Sequence, residues 1–194
     1  MCKRAKRFFM IASLPLIAAA IPVQAQVANA PISKAQSTGT LENGVYKDKT
    51  GVQFTLPPDW AVVSHARASD GAHTVMLRDT ITNVIATVWL KSRTVDPAST
   101  PALMSRRLDT RLAQRNNFEG YKFRPESVQN TTIGGRPALS AVADYVRTGQ
   151  KMVEYLTWID GETSRVAFVA RMPASELADF QGRFDAVTQS ALVP

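Results

Sequence analysis

Apolar and polar residues alternate along most of the chain, which is the spacing of half-buried β-strands. Runs rich in Val, Ile, Thr and aromatic residues are separated by turn-forming clusters, such as Pro57-Pro58-Asp59 and Thr148-Gly149-Gln150. The pattern predicts strands at 53–56, 60–64, 74–78, 84–90, 121–128, 136–147, 152–159 and 166–172, with a turn at 129–132.

Two segments have helical spacing instead. In the first, near 100–117, Pro101 suits the first helical turn and the apolar residues form one stripe, made of Leu103, Met104, Leu108 and Leu112. In the second, near 174–192, apolar residues recur every three or four positions, at Leu177, Phe180, Phe184, Val187 and Ala191. Strands, helix, strands and helix in this order predict an α+β fold in which helices cover an antiparallel sheet.

The N-terminal residues are typical of a secretory signal peptide. A short apolar run follows four basic residues, and Val23-Gln24-Ala25 offers small residues for cleavage. We expect cleavage after Ala25, with Ala28 or Ala30 as alternatives, and a retained membrane anchor as the competing interpretation. Residues 26–44 are polar and lack aromatics, so they read as a flexible linker to a single folded domain at 45–194.

Removal of residues 1–25 changes the interpretation of charge. The whole chain carries 23 Lys and Arg against 16 Asp and Glu, a net charge of +7. Four of those bases and no acid lie in 1–25, so the processed chain has a net charge of +3. The basic composition is therefore no argument for a nucleic-acid partner. The only cysteine, Cys2, leaves with the signal peptide, so no disulfide is expected.

Three stretches resemble the PsbP-like family, which includes the bacterial DcrB-type envelope proteins. They are Gly51-Val52-Gln53-Phe54 with Leu56-Pro57 and Trp60, then Ile133-Gly134-Gly135-Arg136-Pro137-Ala138, and the last helix with Phe180 and Phe184. The resemblance implies an α/β/α sandwich around a central antiparallel sheet, and a protein that acts by binding rather than catalysis. Members of the family have diverse roles, so the fold does not convey a particular function.

The Pro57-Pro58-Asp59-Trp60 stretch suits a corner between two strands, because proline fixes φ and lacks a hydrogen-bond donor. Trp60 is expected to pack against the sheet or a helix. A Trp60 that faces a partner is the alternative.

His65, Asp70 and His73 are the only grouping of metal-ligand types. If 60–64 and 74–78 form a hairpin, the histidines approach each other, but zinc sites ordinarily need three or four protein ligands. Ordinary loop histidines are therefore favoured over a metal site. No motif of a nucleophilic hydrolase or a phosphate-binding loop is present, and the sequence predicts neither a catalytic residue nor a cofactor.

Arg107, Arg111 and Arg115 recur every four residues on the first helix, with Arg106 beside them. We expect them to point outward together, as a solvated face or as a weak footprint for an acidic protein or lipid headgroups.

The sequence thus predicts an exported, non-enzymatic binding or accessory protein of the bacterial envelope. It would be periplasmic or secreted, with an envelope or secreted protein as partner and at most weak peripheral membrane contact. The alternatives are a small metal-dependent enzyme that uses His65 and His73, and a chaperone or assembly factor.

Overall fold

The computed structural model describes residues 39–67, 71–92 and 100–194. The predicted signal peptide, residues 26–38 of the predicted linker, and Asp70 lie outside the described residues. Among the described residues, no helix is long and apolar enough to cross a membrane.

A three-stranded antiparallel sheet opens the described chain, in the order β1 (Gly39–Glu42), β2 (Val45–Asp48) and β3 (Gln53–Thr55). β1 lies inside the predicted linker, so the prediction of a flexible segment was wrong for these residues. Asn43 and Gly44 both have positive φ and form a two-residue turn that pairs Glu42 with Val45. Asn-Gly strongly favours a hairpin turn, and this preference outweighs the polar composition that predicted a flexible linker.

The second sheet has eight strands, all paired antiparallel, in the spatial order β4-β5-β6-β11-β10-β9-β7, with β8 also paired to β9. The strands are β4 (Trp60–Arg67), β5 (His73–Asp79), β6 (Ile85–Ser92), β7 (Glu119–Phe123), β8 (Gln129–Ile133), β9 (Arg136–Arg147), β10 (Gln150–Asp160) and β11 (Ser164–Pro173).

One predicted strand and one predicted turn are corrected by the structure. The strand predicted at 121–128 ends at Phe123 and gives way to a 3₁₀ turn at Pro125–Ser127. The residues predicted as a turn, 129–132, form β8 instead, and Gly134-Gly135 makes the turn to β9. β8 is an edge strand whose first four residues are polar and exposed, so it shows no alternation before the buried Ile133.

Two helices cover opposite faces of the large sheet. Helix α1 (Thr100–Gln114) contacts Glu154, and helix α2 (Leu177–Gln189) contacts the next residue on β10, Tyr155. Because successive side chains of a strand point to opposite faces, the helices lie on different sides. The predicted α/β/α architecture is thus confirmed.

The two faces differ in how they are filled. On the α2 side, four apolar residues of the helix join one large core together with the small sheet; they are Leu177, Phe180, Phe184 and Val187. On the α1 side, the buried apolar cluster is small and centres on Ala141, Leu156 and Val169. The α1 face therefore has room for polar groups.

The proline corner before β4 belongs to the α2 side. Trp60 is 6% exposed, and its ring lies 5.8 Å from that of Phe180. Arg183 of α2 donates hydrogen bonds to the carboxylates of Asp59 and Asp79. The corner therefore joins the strand turn to α2, which agrees with a packing role for Trp60.

Candidate functional site

Two tryptophans lie in one row across the sheet beneath α1. The strand register aligns Trp89 of β6 with Ala167 of β11, and Ala167 with Trp158 of β10. Neighbouring strands are about 4.8 Å apart, so the two tryptophan backbones are about 10 Å apart with a small alanine between them. Because a bulky central side chain is missing, the row forms a slot with aromatic walls.

The rows on either side of this slot have different chemistry. Two residues further along the strands on one side lie Lys91, Arg165 and Asp160, which are aligned by the same register. On the other side lie Thr87, Val169 and Leu156. The tryptophan row is thus bordered by a charged row and a largely apolar one.

Arginines of α1 reach the sheet at two separate points. Arg107 donates a hydrogen bond to Asp160, and the Nε of Arg111 donates to Glu154 at 2.6 Å. The two carboxylates are about 20 Å apart along β10, whereas residues four apart on a helix differ by about 6 Å. The two arginine side chains therefore diverge, and Trp158 lies on the strand between their acceptors.

Glu154 is the centre of a buried ionic cluster. Its side chain is fully buried and accepts hydrogen bonds from Arg111, from the Nε of Arg171 at 2.6 Å, and from the hydroxyl of Tyr121 at 2.8 Å. Arg115 lies 3.5 Å away and stacks its guanidinium 5.0 Å from the ring centre of Phe118.

The cluster holds Glu154 in its ionised form. Burial alone would raise its pKa, but the hydrogen bond and charge of Arg111, with the hydrogen bonds of Arg171 and Tyr121, outweigh burial and hold the pKa below its usual range. Burial and the neighbouring Glu154 also raise the pKa of Tyr121, so its hydroxyl stays a donor.

The expectation that Arg107, Arg111 and Arg115 point outward together was wrong. Their side chains are 11%, 12% and 19% exposed, and each contacts a buried carboxylate of the sheet. Part of the apolar stripe points away instead, since Leu112 is 39% exposed. The carboxylates on β10 outweigh the helical stripe in setting the rotation of α1. Partner binding by these arginines, and by the buried Trp60, stays a prediction.

A groove of about 670 Å³ lies between α1 and the tryptophan row. None of the described residues that line it is acidic, and five are cationic. Arg106 is exposed on its rim and has no ion-pair partner in the described part of the chain. The lining comprises Ala72, Trp89, Lys91, Arg106, Arg107, Thr110, Arg111, Gln114, Trp158, Arg165, Ala167 and Val169.

One donor beside the groove has no acceptor among the described residues. The Nη2 of Arg111 is buried with no hydrogen-bond partner among the described residues. Aromatic walls with a cationic lining are features of a site for an anion that carries an apolar body.

The histidines lie on the other face of the sheet, near the small sheet. β4 and β5 form the predicted hairpin, in which His73 pairs with Arg67 and His65 with Val75. The Nδ1 of His73 is 3.5 Å from an oxygen of buried Asp48, and the Nδ1 of His65 is 3.4 Å from the hydroxyl of Tyr46. Burial lowers the pKa of His65, against the opposing charge of Asp48.

These contacts do not assemble a metal centre. In the described ranges, no group of three or more His, Cys, Asp or Glu side chains is arranged to hold a metal ion. Asp70, the third member of the predicted grouping, lies outside those ranges. An enzymatic use of His65 and His73 stays untested.

The fold is similar to that of a solved PsbP structure. The solution structure of PsbP from the cyanobacterium Synechocystis sp. PCC 6803 aligns with a TM-score of 0.59 and 16% identity, over 84% of this chain and 99% of that one. This chain has a PsbP-like fold. LpqN of Mycobacterium tuberculosis, described as involved in cell envelope biogenesis, aligns with a TM-score of 0.47 and 14% identity, over 74% of this chain and 83% of that one. The sequence matches no protein-family model and no curated protein.

Sequence reasoning missed the tryptophan row, although one signal was available. In Trp89-Leu90-Lys91 and Trp158-Ile159-Asp160, a tryptophan and a charged residue share one strand face while an aliphatic residue takes the other. An aromatic beside a charge on the less apolar face indicates a surface that is not simply core. The spatial order of the strands, which brings the two tripeptides together, was not readable from the chain.

Proposed function

We propose that this protein is an exported, non-enzymatic binding protein of the bacterial envelope, and that the groove under α1 is its binding site for an anionic ligand. The groove itself is the observation that carries the proposal. It combines two tryptophans, five cationic side chains and no acidic lining residue among those described. Its volume of about 670 Å³ lies within the range of about 300–1,000 Å³ that is typical of ligand sites.

The charge distribution supports an anion as the ligand. Asp160 and Glu154, which do not line the groove, pair with Arg107, Arg165 and Arg111, while Arg106 at the rim keeps its charge unpaired among the described residues. An acidic group that enters the groove meets cations and N–H donors and no described carboxylate. Such a site attracts anions and disfavours cations.

The arrangement favours binding over catalysis because its charged groups are arginines and a lysine. Arginine stays protonated at any physiological pH, so it binds and orients anions but is a poor general base. We include export in the proposal because the N-terminal residues resemble a signal peptide. We also propose that the protein is of the DcrB type, because of the three sequence stretches that resemble the PsbP-like family.

Native mass spectrometry of protein purified from its exported compartment tests this function. We expect an anionic ligand to be retained by the wild-type protein, lost from Trp158→Ala and retained in a smaller amount by Arg106→Gln. The matched control is Arg147→Gln, which removes one exposed cation at the end of β9, outside the groove. Retention of the same ligand by both groove variants would place the binding site elsewhere.

A further inference from the structure

We infer that the groove selects a small organic anion with a planar aromatic body, rather than an acyl-chain lipid or a simple inorganic anion. This inference rests on the proposed function and narrows its ligand class. Three features of the groove support it, namely the shape of its floor, the composition of its walls and the position of its charges.

The floor suits a flat group. Ala167 lies between Trp89 and Trp158, and only a methyl group occupies the centre of the row. A planar ring can lie over this alanine and contact the two indoles. Offset or edge-to-face aromatic contacts add about 0.5–1.5 kcal/mol to the gain from buried area, and the guanidinium groups beside the slot add a favourable surface for a ring.

The walls suit an acyl chain poorly. The aliphatic side chains that line the groove are Ala72, Ala167 and Val169, which together offer little surface to a long chain. The remaining lining is aromatic, cationic or polar. A flexible chain would lose rotational freedom on binding and gain few aliphatic contacts, whereas a rigid ring has little such freedom to lose.

The charges suit one acidic group beside the ring. Arg106 lies on α1 at the rim, and the buried Nη2 of Arg111 has no acceptor among the described residues. A carboxylate or phosphate that reaches one of these guanidinium groups would accept hydrogen bonds from it while the ring covers Ala167. Charge-assisted bonds of this kind are about twice as strong as neutral ones.

Isothermal titration calorimetry with four probes tests the inference on the purified protein. The probes are 2-naphthoate, its neutral amide 2-naphthamide, decanoate and inorganic phosphate. We expect 2-naphthoate to bind at least about tenfold more tightly than each of the others, because only it combines a planar body with a negative charge. The affinity should fall as salt is raised.

Variants locate the binding. Trp89→Ala and Trp158→Ala should each weaken 2-naphthoate binding by about tenfold, and Arg106→Gln should weaken it by a smaller factor of roughly three. Arg147→Gln removes the same charge outside the groove and should leave the affinity unchanged. Circular dichroism and thermal melting of each variant verify that it is folded before titration.

Equal or tighter binding of decanoate would contradict the preference for a planar aromatic body. Equal binding of 2-naphthamide would contradict the requirement for a negative charge. Binding that survives both tryptophan variants would put the site elsewhere, and no binding of 2-naphthoate at millimolar concentration would refute the ligand class. Each of these results contradicts the inference while the mass-spectrometric test of the proposed function stays independent. If native mass spectrometry shows that the groove variants lose an anion without an aromatic body, the proposed function is supported and the aromatic ligand class is rejected.

Discussion

At the scale of single residues, the dominant feature is a carboxylate that the fold has removed from water. Glu154 is fully buried and is stabilised by arginines from both α1 and β11 together with a tyrosine. An unpaired carboxylate at this depth would be strongly unfavourable, and so would the arginines without it. Its partners therefore act as one unit with Glu154.

Glu154→Gln should lower the free energy of unfolding by about 3–5 kcal/mol at pH 7, because it leaves several partly buried arginines without their counterion. The folded-state pKa of Glu154 lies below its unfolded value of about 4.3. Its stabilising effect is therefore complete above that value and is lost as pH falls through the folded-state pKa. Urea unfolding at pH 7 and at pH 3 should show the difference between variant and wild type shrinking in acid. A difference independent of pH would contradict the ionic role.

Trp60 represents the opposite kind of residue, one whose role is packing. It is 6% exposed against Phe180, so Trp60→Ala should cost about 3–5 kcal/mol. Trp158→Ala, which removes a half-buried ring from the groove, should cost clearly less. Ligand binding by folded Trp60→Ala should be unchanged, and calorimetric titration checks this. Unchanged stability with lost binding would move Trp60 to the binding surface.

At the scale of elements, the two helices use different chemistry to cover the same sheet. α2 buries four apolar residues, whereas α1 makes ion pairs through Arg107, Arg111 and Arg115 and buries Met104. Ion pairs hold a helix only at the points where carboxylates lie. α1 can therefore stand above the tryptophan row and leave a groove, which a phenylalanine-lined helix would fill.

Neighbouring arginines of α1 should respond differently to the same substitution. Arg111→Gln should destabilise the protein by about 3 kcal/mol, because it removes a hydrogen-bonded partner from buried Glu154. Arg106→Gln, five residues earlier and exposed, should change stability by less than about 0.5 kcal/mol. Denaturant unfolding of both variants measures this, and equal effects would contradict the buried orientation of Arg111.

At the scale of the whole molecule, stability should be distributed unevenly between the two faces. The α2 face has one large apolar core that also includes the small sheet, and the α1 face has a small one. Hydrogen exchange measured by mass spectrometry should therefore show amides of α1 exchanging faster than those of α2. Acidification below the usual pKa range of a glutamate, after correction for intrinsic rates, should widen the difference as the stabilising effect of ionised Glu154 is lost. Equal protection of the two helices would contradict this view.

Export concerns the whole chain as well. The basic residues, the apolar run and Ala25 predict that the exported protein begins at Gln26 or within about five residues of it. Intact-mass measurement of protein from the envelope fraction checks this. A mature protein that still begins at Met1 would refute the signal peptide and favour a retained anchor.

Local pattern was sufficient for much of the fold. The bounds of β9 match the predicted 136–147, and both helices lie within their predicted segments. Alternation and helical spacing reflect burial on one face, which neighbouring residues already encode. Prediction failed at β1 and β8, where most residues are polar and exposed, so that hairpin turns rather than apolar alternation specify the strands.

The sequence by itself determined which residues share a face of each strand and of each helix. Only the tertiary structure decided which faces meet. Arg111 and Glu154 are 43 positions apart, and no local pattern indicates that a buried strand would present a carboxylate to this helix. The tryptophan slot depends in the same way on β11 lying between β6 and β10, an order that long-range pairing sets. The groove is therefore a property of the assembled sheet, since its two walls come from strands that are distant along the chain.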